Sequence, residues 1–205
     1  MGQHKLSISS TVTPAIGHTD YHARSLYPES DGQVVEPVFL DGSRWSSGYA
    51  AGLSISYVYQ PGWSVSSGIW FHQITTRQTR QPSAGEGTVT LRNRRLRIPL
   101  LLNFCPSNHR LSPYFSFGLL TDFPILSRVV VTRSGESTQN LRLKPLLPRP
   151  FFYGLLGAGV RYKLTDRYTF IGQPVLTYSF GQLGASFMHD PAFEIGLQTQ
   201  LAYTF

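Results

Sequence analysis

The chain has 205 residues, enough for one domain, with 14% charged and 13% aromatic side chains and a net charge of +7. That is little charge and much ring area for a water-facing surface, yet mean hydropathy is only -0.12 and no run of about 18 apolar residues exists to make a transmembrane helix. The basic residues fall in the gaps between apolar segments and form no single stripe, which argues against nucleic acid, and the lone Cys105 excludes an intrachain disulfide.

In chain order, the first predicted strand is Lys5 to Thr13, with Leu6, Ile8 and Val12 on one face. The second carries Tyr49, Ala51, Leu53, Ile55, Tyr57 and Tyr59 at alternate positions, a spacing that puts them on one side of a strand. Pro61-Gly62 then makes a tight turn, and Trp63, Val65, Ile69 and Phe71 continue the alternation, so the pair reads as a hairpin. Leu96, Ile98, Leu100, Leu102 and Phe104 share the face of a fourth strand, and Phe115, Phe117 and Leu119 that of a fifth. Phe152, Leu156, Ala158, Val160 and Tyr162 mark the sixth, which turns at 165–167 into Tyr168, Phe170, Leu176, Tyr178 and Phe180. The eighth, Phe193 to Phe205, is the cleanest: odd positions are mostly apolar and even positions are Glu, Gly, Gln, Gln, Ala and Thr.

The connections alternate. Those at 61–62, 105–112 and 164–166 are short; those at 14–45, 77–90, 123–150 and 181–191 are long. Short turns at one end and long loops at the other define an outer-membrane barrel. Strands of about 10–13 residues, tilted about 40°, rise about 25–33 Å, enough to cross a bilayer core. The expected fold is all-β: an eight-stranded antiparallel up-and-down transmembrane β-barrel over residues 1–205, or the C-terminal part of a longer precursor. No secretory leader is legible before Lys5. An even strand count places both termini on the periplasmic side. Pro99 and Pro174 fall inside strands, where each is expected to force a bulge or a broken ladder.

The segment Leu96-Arg97-Ile98-Pro99-Leu100-Leu101-Leu102, followed by Pro113-Tyr114-Phe115-Ser116-Phe117-Gly118, resembles the PorT-type outer-membrane β-barrel family of Bacteroidota. Thr177-Tyr178-Ser179-Phe180-Gly181 is similar to that family's strand end, and Leu201-Ala202-Tyr203-Thr204-Phe205 to the C-terminal signal read by the barrel-assembly machinery. The resemblance runs from about Ser46 onward. The turn Cys105-Pro106-Ser107-Asn108-His109 departs from the family's short basic turn. The resemblance implies a fold and a location but no single activity. Members include a component linked to the type 9 secretion system, and related barrels form the outer end of envelope-spanning anti-sigma proteins.

Parity assigns the candidate site residues. If odd positions of the last strand face lipid, Glu194, Gln198 and Gln200 point inward, together with Lys5, Arg95, Arg97, Asn103, Asp122, Arg161, Lys163 and Gln173. They make either a charged conduit or a packed polar core. The second is favoured, because eight strands enclose a space that side chains just fill. Tyr57, Tyr59, Trp63, Tyr162 and Tyr168 are expected to form an interfacial girdle, and Leu201, Tyr203 and Phe205 the assembly signal.

Catalysis would need a His with a Ser or Asp partner at the outer rim. His72, His189, Ser186 and Asp190 fall near predicted outer strand ends, and His18, His22 and Asp20 in the first loop. No nucleophile elbow is present, and His18 and His22 lack the helical setting that a four-residue spacing requires for metal. Neither enzyme activity, cofactor nor metal is expected. Asp20, Glu29, Asp31, Glu36 and Asp41 in the first loop stand against Arg128, Arg133, Arg142, Lys144 and Arg149 in the third, so the two loops are expected to dock as a cap, the alternative being an acidic and a basic patch presented to a partner.

The expected function is a non-enzymatic barrel that displays extracellular loops or anchors a partner complex. Its expected partners are outer-membrane lipid and lipopolysaccharide, the barrel-assembly machinery, and secretion or signalling subunits. The outer terminus of an envelope-spanning signalling protein is the first alternative, and a lipid-modifying barrel enzyme the second.

Overall fold

The computed structural model describes residues 5–26, 38–80, 87–133, 139–143, 150–180 and 193–205. Nine strands lie among them: β1 Lys5–Leu26, β2 Val38–Gln60, β3 Trp63–Arg80, β4 Gly87–Phe104, β5 Leu111–Arg133, β6 Gln139–Leu143, β7 Phe151–Lys163, β8 Tyr168–Ser179 and β9 Phe193–Thr204. They run in the order β4-β3-β2-β1-β9-β8-β7-β5, and β4 also pairs with β5, so the sheet closes on itself. Short β6 pairs with the outer part of β5, Ser127–Val131, while β7 pairs with the inner part, Leu111–Asp122. β6 and β7 therefore share one position, and the ring has eight. All pairings are antiparallel. The fold is an eight-stranded up-and-down β-barrel.

Closure follows from the chemistry of the strand faces. Every barrel strand exposes large apolar side chains outward: Ile16, Leu53, Ile69, Leu100, Leu119, Leu156, Leu176 and Leu197, one from each, stand for the belt. Alternate residues point in and are buried, among them Thr11, Ser54, Asn103, Ser116, Gln173 and Gln198. An apolar belt all the way round, with the hydrogen-bonding groups inside, is the inverse of a water-soluble sandwich and suits hydrocarbon. No sheet edge is left within the ring, so the backbone groups at membrane depth pair between strands.

The start of β1 and the end of β9 lie at the end of the barrel with the short turns. Phe205 N donates to Leu6 O at 3.1 Å, and Thr204 N to Arg167 O at 2.9 Å. At the same end, Gln60 and Trp63 pair across the two-residue turn Pro61-Gly62. Gly62 takes φ 80° there, a left-handed conformation that favours glycine.

Two expectations change. Much of the segments read as long loops at 14–45, 77–90 and 123–150 is strand: β1 continues to Leu26, β2 starts at Val38, β3 runs to Arg80, β4 starts at Gly87 and β5 runs to Arg133. Alternation is weaker there because those residues lie beyond the apolar belt. His18 therefore sits on β1, not in a loop, and packs its ring against Trp45 and Phe193. Of the residues expected to form a cap, Asp20, Asp41, Arg128, Arg133 and Arg142 lie on strands, while Glu29, Asp31, Glu36, Lys144 and Arg149, and with them the docking itself, fall outside the described residues.

The prolines do not shift register. The β3–β4 ladder skips from Ser67↔Leu100 to Trp70↔Arg97, and β7–β8 from Gly157↔Val175 to Val160↔Gly172, each at constant register. The ladder is broken and not bulged, and on the β4 side Ser67 Oγ donates to Pro99 O at 2.8 Å. The bulge lies elsewhere. Arg94 pairs with Leu126 but Arg95 with Pro124, leaving Ile125 as an extra residue. Beyond it the parity of β5 inverts, so Ser127 and Val129 are buried and Arg128 is exposed.

Candidate functional site

Sequence and register converge on a charged cluster in the barrel interior. Cross-strand pairing puts Arg97 of β4 opposite Asp122 of β5, and His72 of β3 opposite Arg95 of β4. All four side chains are buried. The Arg97 guanidinium grips Asp122 twice, Nε to Oδ1 at 2.7 Å and Nη2 to Oδ2 at 2.9 Å. This fork geometry is the strongest form of side-chain pairing. Arg95 Nη1 donates to Tyr153 Oη at 2.7 Å and lies 3.8 Å from Asp122 Oδ2.

Glu194 reaches the cluster from β9, across the lumen. Its Oε2 lies 3.7 Å from Arg97 Nη1 and 3.6 Å from His72 Nε2. His72 Nδ1 lies 3.4 Å from Asp122 Oδ2, so the imidazole stands between two carboxylates. Two arginines and two carboxylates balance in charge, which is the condition for keeping ions out of water. The arginines also lie over rings: Arg95 Cζ is 5.2 Å from the centroid of Phe151, and Arg97 Cζ 5.4 Å from that of Tyr153.

Toward the short-turn end the polar packing continues. Gln173 bridges Ser116 at 2.8 Å and Gln198 at 2.6 Å. Trp70 Nε1 donates to Ser54 Oγ at 2.8 Å. Gly52 has no side chain at this point; a Cβ there would run into the backbone of Ile69 and Trp70 and stand 2.7 Å from Trp70 Cδ1. Asn103 Nδ2 donates to Ser66 Oγ at 3.0 Å. Beside the charged cluster a cavity of about 20 Å³ is lined by His72, Arg97, Glu194 and Gln198, among others. That is room for about one water molecule.

The sequence-predicted lumen residues divide. Arg95, Arg97, Asp122 and Glu194 come together in the cluster, and Gln198 joins the amide layer. Arg161 and Lys163 stay apart at the short-turn mouth. Arg161 Nη2 donates to Ser107 O at 3.2 Å, and Lys163 Nζ to Asn108 Oδ1 at 2.6 Å, so both hold the Cys105–His109 turn. Lys5 has inward parity but is exposed at the first described position of β1 and joins no network. Cys105 is buried inside that mouth beside Tyr114 and Ile171.

His72 corrects the rim assignment: it lies in the interior, between Asp122 and Glu194. Ser186, His189 and Asp190 fall outside the described residues, as does any pairing among them. The packed polar core that parity predicts also has an apolar part. Trp70, Leu101, Leu120, Phe151, Tyr153 and Leu155 form one buried apolar cluster within the lumen. In β3, β4 and β7 both faces are partly apolar, which hides this cluster from a simple alternation reading.

The girdle residues lie at the short-turn end. Tyr57, Tyr59 and Tyr168 are exposed, while Trp63 and Tyr162 are half-buried. Ring contacts link Trp63 to Phe104 at 4.5 Å, Tyr168 to Tyr203 at 5.2 Å, and Tyr203 to Phe205 at 5.2 Å. Leu201 is exposed on β9, opposite Ser10 of β1 and Phe170 of β8.

An apolar belt around a ring filled by side chains defines a small β-barrel with a packed, charge-balanced interior. Solved structures of similar shape include Neisserial surface protein A, with 14% identity, TM-score 0.48, and coverage of 98% of this chain and 97% of that one. The outer membrane protein OprG from Pseudomonas aeruginosa has 14% identity, TM-score 0.45 and coverage of 98% and 96%. Ail, the attachment invasion locus protein of Yersinia pestis, has 14% identity, TM-score 0.40 and full coverage of both chains. No family model and no curated protein sequence matches the chain.

Proposed function

We propose that this chain is a non-enzymatic outer-membrane barrel whose function is carried by the segments at its long-connection end, where it displays them or anchors a partner complex. The observation that carries this reading is the filled interior. The Arg97–Asp122 fork, Glu194 and the Gln173–Gln198 pair occupy the lumen, and the cavity beside them holds about one water. A packed barrel of this kind is an anchor and not a conduit. Its apolar belt suits a bilayer, and its end with both termini and the short turns is assigned to the periplasm.

The PorT-type affinity belongs to the same proposal. The motif proline Pro99 is buried in the lumen, where its missing N–H coincides with the break in the β3–β4 ladder. The barrel-assembly machinery is the proposed reader of Leu201, Tyr203 and Phe205, and a secretion or signalling subunit the proposed partner. Replacing residues 27–37 and 134–138 with short turns tests the reading. The barrel is expected to fold, and the native complex recovered from its own membrane to be lost. A shortened barrel that still forms that complex would move function to the periplasmic turns.

A further inference from the structure

The belt ends on one side of the barrel in arginine. On the outward face of β4, Phe104, Leu102, Leu100, Ile98 and Leu96 are followed by Arg94 and Arg92. Phe104 to Arg94 is ten residues, and at about 3.3 Å per residue and a tilt of about 40° this rises about 25 Å, the height of a barrel's apolar band. Arg94 therefore stands where hydrocarbon gives way to headgroups. β5 does the same one strand over: Phe123, Ile125 and Leu126 lead to Arg128. Arg128 faces outward only because the bulge at Ile125 inverts the strand's parity. On β3, Phe71, Gln73 and Thr75 lead to Arg77.

Register aligns these cations. Arg92 is directly opposite Arg128, and Arg142 of β6 is the next residue in that row. Like charges directly opposite repel across a strand pair and destabilise it. No ion pair among the described residues neutralises Arg77, Arg92, Arg94 or Arg128. Among the described outward positions from 71–77, 90–96 and 123–130 there is no carboxylate. Gln73 Oε1 accepts from Arg94 Nε at 3.0 Å and so holds one fork in place. The opposite side of this rim has another character: His18, Trp45 and Phe193 stack there on β1, β2 and β9.

We propose that Arg77, Arg92, Arg94 and Arg128 form a binding site for the phosphates of a lipid, namely the phosphorylated disaccharide headgroup of lipid A in the outer leaflet. The guanidinium fork matches phosphate oxygens, and bound phosphate removes the repulsion in the row. The apolar residues directly below, Leu96, Ile98, Phe123 and Leu126, meet the acyl chains of the same molecule. This contiguity selects an amphiphile over a free anion. The proposal rests on the outer-membrane reading, with this end facing outward.

The test measures binding of bisphosphorylated lipid A to the detergent-folded chain by native mass spectrometry, with dephosphorylated lipid A and phosphatidylglycerol as further probes. The R92Q/R94Q/R128Q variant is expected to bind bisphosphorylated lipid A about tenfold or more weakly, the loss that even one charge-assisted hydrogen bond corresponds to. The R110Q/R167Q variant, altered at the other end of the barrel, is expected to bind like the parent. A heat-dependent shift in gel migration checks that each variant is folded. Equal binding by the parent and the triple variant would overturn the proposal. So would equal binding of phosphatidylglycerol, or an equal loss in R110Q/R167Q. Fractionation of expressing cells reads outer-membrane location separately, so failure of the lipid site and failure of the location are distinguishable.

Discussion

Arg97 and Asp122 face each other across β4 and β5 and close two hydrogen bonds, of 2.7 and 2.9 Å, inside the lumen. Each is buried, so removing one leaves the other as an ion with only looser contacts, Arg97 to Glu194 at 3.7 Å or Asp122 to Arg95 at 3.8 Å. Arg97→Met and Asp122→Asn are each expected to destabilise the barrel by about 3–5 kcal/mol. Urea unfolding in detergent, followed by the fraction of folded band on a gel, measures this. Asp166→Asn, in the exposed turn before β8, is expected to change stability by less than about 0.5 kcal/mol. Equal effects at Asp122 and Asp166 would mean the fork holds nothing together.

Glu194 reaches Arg97 at 3.7 Å, a looser contact than the fork. Glu194→Gln keeps the shape and removes the charge, and is expected to cost about 1–3 kcal/mol, less than Asp122→Asn. Because Arg97 serves both carboxylates, the two changes should not add. The double variant is expected to depart from the sum by about 0.5–3 kcal/mol. Strict additivity would show that the two act separately.

The packed interior has an electrical consequence. In a planar bilayer the folded barrel is expected to show no steps of the size a water-filled porin gives. Reproducible large steps from protein with the heat-shifted migration of a folded barrel would show that the plug at Arg97 and Gln173 moves aside.

At the seam, Phe205 N donates to Leu6 O, and the Phe205 ring meets Tyr203 edge-on at 5.2 Å. Deleting Phe205 is expected to lower the yield of outer-membrane barrel much more than Thr204→Ser. Equal yields of heat-modifiable protein from the two variants would remove the assembly role from this residue.

Gly52 gives a packing test. Gly52→Leu drives a side chain against the β3 backbone at Ile69 and Trp70 and against the Trp70 indole, which is hydrogen-bonded to Ser54. Overpacking of this kind costs about 1–3 kcal/mol. The check is a lower urea midpoint together with altered tryptophan emission. An unchanged midpoint would mean that β3 can shift to admit the side chain.

The sequence by itself determined the strands within the belt and the face on which most of their residues sit. Parity is a local property of an extended chain, so Ile195, Leu197 and Leu201 could be assigned outward, and Glu194 and Gln198 inward, without knowing any neighbour. The Pro61-Gly62 turn was legible for the same reason. Tertiary structure decided what meets what. Arg97 contacts Asp122 because of the β4–β5 register, and Glu194 joins them only because the ring brings β9 across from β4. His72 also had inward parity in the sequence, but its apolar neighbours Trp70 and Ile74 on the same face masked the signal. The bulge at Ile125, which turns Arg128 outward, depends on pairing between β4 and β5 and leaves no mark in β5 alone. The strand extensions beyond the belt escaped notice because outside hydrocarbon nothing requires one face to be apolar. Only backbone pairing with the neighbouring strand, as at His18 opposite Trp45 and Arg92 opposite Arg128, holds them as strands.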